Sequence, residues 1–416
     1  MSTPKRIYLC LAHMSGEEQK FIKEAFDTNW VVPLGPNVNG FEADLETFIG
    51  EQKSVVALSA GTAAVHLALI ACGVGPGDEV ICQSFTFCAS ANPITYLGAT
   101  PIFIDSERDT WNISPRLLEQ AIVDRVAKTG RKPKAIIPVY LYGMPAKLDQ
   151  ILEIADKYDI PVIEDAAEGF GSMYNGRMCG TYGKYGVLSF NGNKMITTSG
   201  GGALICPDAE AKNNIMFYAT QAREAYPYYQ HEQIGYNYRM SNICAGIGRG
   251  QMTVAAEHIA HHKHIHRLYS EMFADIEGIE LHTNPDERYD SNFWLNTILL
   301  DEKLRIKGEE DAYRQSVGGA VGGVGSTTHA AATPHTDCEP HRNVEALRIA
   351  LDKAGIEARP LWKPMHKQPV FAAAPAYVDG TSEWLFKRGL CLPSGPCVTD
   401  EDVAYIVSTI RDNIIR

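Results

Sequence analysis

The chain has 416 residues, 45% of them hydrophobic, enough to bury a large core in two domains or in one large domain with an appendage. The formal charge of −12 comes without any basic stripe interleaved with aromatics, which excludes a nucleic-acid backbone as the expected partner while leaving room for a phosphate held by backbone amides. No apolar run long enough to span a bilayer is present, and the N-terminus "MSTPKRIYLCLAHMSGEEQK" lacks a signal-like segment, so a cytoplasmic protein without membrane contact is expected.

Between residues 54 and 206, short apolar runs alternate with helix-like segments. "SVVAL" is followed by "TAAVHLALIACG", then "EVIC", "SANPITYLG", "TPIFID", "PRLLEQAIVDRV", "KAIIPVY", "KLDQILEIADKYD", "IPVIED", "GVLSF" and "GALIC". Strand runs that are apolar without alternation, separated by helices, predict a largely parallel sheet covered on both faces, hence an α/β fold. Gly61 opens the first helix, and Gly73, Gly75, Pro76 and Gly77 close it.

After "GYNYRMSNICAGIGRGQM" (235–252) comes a long helical stretch, "TVAAEHIAHHKHIHRLYSEMFADI". The remainder, with "NFWLNTILL", "EALRIALDKAGI" and "EDVAYIVSTIRDNII", reads as a smaller α+β domain. The expected division is a large domain over 1–251 and a small one over 252–416. Within the latter, 316–341 is an insertion-like, Gly/Ala/Thr/His-rich loop. Its His329, His335 and His341 do not form a metal motif, and the ten cysteines lack CxxC spacing, so neither a metal nor a disulfide framework is expected.

Three stretches carry chemistry. In "LSAGTAAVHLAL" a strand runs into a small-residue turn and a helix, whose free N–H groups at Gly61 and Thr62 suit a phosphate; taken alone, the same pattern is an ordinary helix start. In "IPVIEDAAEGFGS", Asp165 sits at the C-terminal edge of a buried strand, where α/β proteins bind ligands, although an acid there often only caps a helix. In "SFNGNKMITTSGGG", Lys194 is hemmed by Ser189, Asn191, Asn193 and three glycines, surroundings unlike those of a solvated surface lysine. One cofactor accounts for all three: pyridoxal phosphate has a phosphate for the helix start, a ring nitrogen needing a carboxylate and an aldehyde needing an amine. Desolvation activates a lysine for such an attachment, and the freed amine can then move a proton as base and acid.

Six ordered motifs extend the pattern: "SAGTAAVHLAL", "SFTFCASANPITYLGATPIFID", "PVYLYGMPAKLD", "IEDAAEGFGS", "LSFNGNKMITTSGGGALI" and "GYNYRMSNICAGIGRGQM". Together they resemble the PLP-dependent nucleotide-sugar aminotransferases, the DegT family of fold-type I enzymes. The resemblance implies Lys194 as the cofactor-linked lysine and Asp165 as the partner of the pyridine nitrogen. It implies Phe87 stacked on the ring, Gly61, Thr62 and Ser189 at the phosphate, and Glu168 beside the cofactor where many relatives have Gln. Asn237 matches a residue that reaches the cofactor phosphate of a neighbouring subunit, implying a homodimer with shared sites. Trp362 and His366 are implied to face the sugar or its diphosphate, each being equally readable as a packed residue.

The implied reaction moves an amino group from L-glutamate to C-4 of a nucleotide-linked 4-keto-6-deoxy sugar. UDP-2-acetamido-4-keto-2,6-dideoxyglucose is the first substrate expectation, and a GDP- or dTDP-linked 4-keto-6-deoxyhexose the second. Lys194 argues against the family's dehydratases, which carry histidine there, and a PLP-binding sensor without turnover is the remaining alternative.

Overall fold

The computed structural model describes residues 6–312 and 338–415. His329 and His335, and most of 316–341, lie outside the described residues; His341 lies within them, its N–H donating to the Lys387 carbonyl at 2.7 Å just ahead of helix Arg342–Lys353.

The apolar runs become strands β1 (Ser54–Leu58), β2 (Glu79–Gln83), β3 (Thr100–Ile104), β4 (Ala135–Ile137) and β5 (Ile163–Asp165). A hairpin of β6 (Met173–Tyr174) and β7 (Arg177–Met178) follows, then β8 (Tyr185–Ser189) and β9 (Gly202–Cys206). Two hydrogen-bonded groups, β1-β9-β8-β5 and β14-β3-β2-β4, share an edge through the parallel bridges Ile136–Val162 and Val139–Asp165, making one twisted sheet. Its last member, β14 (Ala376–Tyr377), arrives from the C-terminal part of the chain and pairs parallel with β3.

Most pairings in this sheet are parallel, as a covered α/β sheet requires, and β9 is the exception, running antiparallel to both β1 and β8. The cause lies in the connection. Residues 190–201 between β8 and β9 hold no helix, and a chain that short turns back instead of crossing over. Lys194 sits in that turn.

The small sheet consists of β10 (Ile279–Leu281), β12 (Asn296–Leu300), β15 (Gly389–Leu392) and β13 (Arg359–Pro360), all antiparallel. Helices Ala255–Phe273, Arg342–Lys353 and Asp400–Asn413 bury Ile265, Tyr269, Leu347, Leu351, Ile406 and Ile410 with it in one core. The expected division at residue 251 is crossed in both directions. Ile7 bridges Ile356 and joins the small core, while β11 (Tyr289–Asp290) pairs with β6, and Met365 and Phe371 pack into the core of the large sheet. Both crossings bury apolar side chains and pair backbone edges across the seam, β11 doing so with the β6/β7 hairpin. Among the described residues, no helix is long and apolar enough to cross a membrane.

Candidate active site

Three chain segments meet at the C-terminal ends of β1, β5 and β8, the edge where open α/β sheets bind ligands. They enclose a cavity of about 420 Å³, within the roughly 300–1,000 Å³ usual for small-molecule sites. Gly61, Thr62, Asp165, Glu168, Ser189 and Lys194 all line it.

Helix Gly61–Ala71 starts without a side-chain cap: Ala60 before it is extended and offers no side-chain acceptor, so the first amides are left for whatever occupies the cavity. Close approach is built in. A Cβ on Gly61 would stand 3.1 Å from the Ser189 Cβ, and one on Gly202 would meet the Ala60 backbone at 2.4 Å. Only glycine lets the helix start and the β8 end sit this near each other.

On β5, side-chain alternation separates two adjacent acids. Glu164 turns away from the cavity, fully buried, and accepts from the Tyr140 hydroxyl and from the N–H groups of Gly180 (2.7 Å) and Gly183. Asp165 turns in, where its Oδ2 accepts from the Ser90 hydroxyl at 2.6 Å and its Oδ1 from the Ala167 N–H at 3.2 Å. The Ser90 hydroxyl is in turn 2.8 Å from that of Thr86. Burial pushes the Asp165 carboxyl up, against the pull of Ser90, Ala167 and Lys194. A buried carboxyl in that condition gains most from a cationic partner, which the pyridinium nitrogen of PLP supplies.

Lys194 points its ammonium at Glu168, Nζ to Oε1 3.2 Å, and over the face of Trp294 at 4.1 Å from the ring centroid. Glu168 is held on its other side by the Tyr142 N–H, 2.7 Å from Oε2, and its carbonyl accepts from Asn292 Nδ2 at 2.7 Å. Burial, opposed chiefly by Lys194, pushes the Glu168 carboxyl up to about 7. Tyr142 adopts a left-handed backbone (φ 54°) to present that N–H, and its hydroxyl accepts from the Trp362 N–H at 2.9 Å.

At the mouth, Phe87 is 54% exposed and tilts against Trp362 with ring centroids 5.5 Å apart. Both line the cavity. His366 does not join them: its Nδ1 is 2.7 Å from the Ser84 hydroxyl and its Nε2 3.3 Å from Glu383. Asn237 also stands apart from the cavity of its own chain, exposed and bridged to Thr220. The residues unread in the sequence are Ser90 and Thr86 behind Asp165, and Trp294, Tyr142 and Asn292 around Lys194 and Glu168. "NFWLN" was the one available signal, since an asparagine and an indole at the start of a buried strand both need partners.

A buried acid, a lysine amine and an uncapped helix start around one cavity fit a PLP enzyme of fold type I. Residues 12–316 and 326–411 match the model of the DegT/DnrJ/EryC1/StrS aminotransferase family, and the chain belongs to that family. It is a PLP-dependent sugar aminotransferase. The chain is 43% identical to the putative pyridoxal phosphate-dependent aminotransferase EpsN of Bacillus subtilis (strain 168), over 98% of this chain and 95% of that protein. It is 34% identical to the GDP-perosamine synthase of Escherichia coli O157:H7, over 96% of each. A DegT DnrJ EryC1 StrS aminotransferase from Brucella abortus shares the fold at a TM-score of 0.80, with 26% identity and 95% of each chain covered.

Proposed function

We propose that the chain transfers an amino group from L-glutamate to C-4 of a nucleotide-linked 4-keto-6-deoxy sugar, with Lys194 and Asp165 as its working residues. The observation that carries this reading is their convergence, with the amides of Gly61 and Thr62, on one cavity. When bound, PLP supplies an aldehyde for an amine and a ring that accepts electrons. Lys194 holds the cofactor and then, as a free amine, takes a proton from one carbon and returns it to another. Asp165, kept in place by Ser90 and Ala167, holds the ring nitrogen charged. Gly61, Thr62 and Ser189 hold the phosphate, Phe87 covers the ring face, and Trp362 closes the mouth above the sugar.

UDP-2-acetamido-4-keto-2,6-dideoxyglucose is the substrate the family resemblance implies first. Full-length likeness to a GDP-perosamine synthase favours a GDP-linked 4-keto-6-deoxyhexose as the second reading. Both readings predict the same C-4 chemistry. We further propose a homodimer in which Asn237 serves the partner's cofactor. The exposed apolar stretch Phe26, Trp30, Val31, Val32 and Leu34 supports it as apolar surface left in water, which a second copy would cover.

The test is a panel of UDP-, GDP- and dTDP-linked 4-keto-6-deoxy sugars offered with L-glutamate, the product being read by NMR. An amino group at C-4 of one of them is expected; amination at another carbon, or none with any member, overturns the reading.

A further inference from the structure

The carbonyls of the two residues that flank Lys194 in the chain are each held by a side chain, one of which, Trp294, lines the cavity while the other, His258, does not. Trp294 Nε1 donates to the Asn193 carbonyl at 2.7 Å. His258 Nδ1 lies 3.2 Å from the Met195 carbonyl, and its Nε2 lies 3.4 Å from His13 Nδ1. A carbonyl can only accept, so Nδ1 carries the hydrogen and Nε2 is left as acceptor. One turn on, Gln251 Oε1 accepts from the Thr197 N–H at 3.2 Å.

His258 belongs to a row. Along helix Ala255–Phe273, His258, His262 and His266 recur every four residues and share one face. All three are buried, at 5%, 0% and 7% exposure. His262 Nδ1 is 3.2 Å from the Phe293 carbonyl, and His266 Nδ1 is 2.6 Å from Asn296 Oδ1. The His266 ring lies flat on Phe293, centroids 3.5 Å apart. Phe293 has a left-handed backbone, φ 50°, unusual for an aromatic residue; the turn there aims the next residue, Trp294, at Lys194. Burial keeps the row neutral, His262 pushed down to about 3 and His266 to about 4, so each ring is a fixed donor at neutral pH. An apolar side chain of similar size would fill the same space without reaching either carbonyl.

We propose that His258 and Trp294 are positioning residues that act through Lys194, clamping the carbonyls of Asn193 and Met195 so that the amine meets the cofactor at one place. The inference rests on Lys194 being the cofactor-linked lysine. Its test uses the branching of the side chains: Asn carries its amide nitrogen where His carries Nδ1, whereas Gln carries it one bond further, as at Nε2.

In the holoenzyme, the readouts are the pH midpoint at which the absorbance of the lysine-bound cofactor changes and the rate at which saturating L-glutamate removes that absorbance. His258→Leu and His258→Gln are expected to displace the midpoint and slow the reaction roughly tenfold to a hundredfold, the scale of a catalytic group slightly misplaced. His258→Asn restores both to the wild-type values. Trp294→Phe, which keeps an aromatic face but loses the five-membered ring with its N–H, moves both readouts in the same direction as His258→Gln. Should the Leu variant fail to fold, the Asn and Gln pair decides alone. Wild-type behaviour of His258→Gln, or equal impairment of the Asn and Gln variants, overturns the clamp. Lys194→Ala separates the two levels: lysine-bound absorbance surviving in that variant overturns the assignment of Lys194 itself.

Discussion

Glu168→Gln tests whether the cavity holds a neutral acid beside Lys194. In the folded protein the Glu168 carboxyl is pushed up to about 7 from an ordinary 4.5, and burial is the first cause. The gap of about 2.5 (7 − 4.5) is worth at most about 3.4 kcal/mol at about 1.36 kcal/mol per pH unit. The sign follows from proton uptake. Between pH 4.5 and 7 the folded form keeps a proton that the unfolded form has released, so stability falls as pH rises through that window and levels off above it. Glutamine has no proton to lose. Its advantage over wild type is therefore small at pH 5 and grows to its full value by pH 8. With an unfolding entropy of roughly 2.1 cal/mol/K per residue, a chain of 416 residues converts about 3.4 kcal/mol into about 3–4 °C of Tm. The assay is thermal melting of wild type and Glu168→Gln across pH 5 to 8, on protein stripped of cofactor so that Lys194 is a free amine. Parallel Tm profiles for the two proteins would show that the carboxyl ionises normally, and that Lys194 outweighs burial.

Three further changes probe the surrounding parts. Lys194→Ala should remove at least the roughly 10²–10⁴-fold that a positioned proton-transfer group contributes, measured as single-turnover conversion with excess enzyme; appreciable turnover refutes its role. Asp165→Ala should weaken cofactor retention by about 1–3 kcal/mol, and Ser90→Ala, which deletes the 2.6 Å bond to Asp165 and the hydroxyl contact with Thr86 behind it, by about 1 kcal/mol. Equilibrium dialysis ranks the two, and equal losses would contradict the idea that Ser90 acts through Asp165. Gly143→Ala places a Cβ 1.9 Å from Asn292 Oδ1 at a φ of 99°, so a loss of about 1–3 kcal/mol in urea unfolding is expected.

The parts of this site legible in the sequence are those in which local backbone chemistry and ligand chemistry coincide. A strand that ends in Gly-Thr before an apolar helix leaves free amides wherever the fold puts it, and helix Gly61–Ala71 does start without a cap. Asp165 was legible as an acid at a strand end, but "IED" alone does not say which acid enters the cavity; pleat alternation decides it, sending Glu164 to Tyr140 and the 180–183 turn. The sheet was legible as α/β from its run lengths. The reversal of β9 was readable only from the absence of a helix between "GVLSF" and "GALIC". What could not be read is contact between distant segments. The spacing of His258, His262 and His266 describes an ordinary amphipathic helix, and nothing in it names Met195, Phe293 or Asn296 as partners. Those partners exist because one helix runs from the rear of the lysine turn into the small core, burying Ile265 and Tyr269 there. A helix anchored at both ends couples the two sheets mechanically. Loosening its small-domain end, as with Tyr269→Ala, whose hydroxyl donates to the Pro393 carbonyl at 2.9 Å, should therefore disturb the absorbance of cofactor bound at Lys194, although Tyr269 lies outside the cavity. An unchanged spectrum in a folded Tyr269→Ala variant would show that the lysine turn holds its shape without the helix behind it.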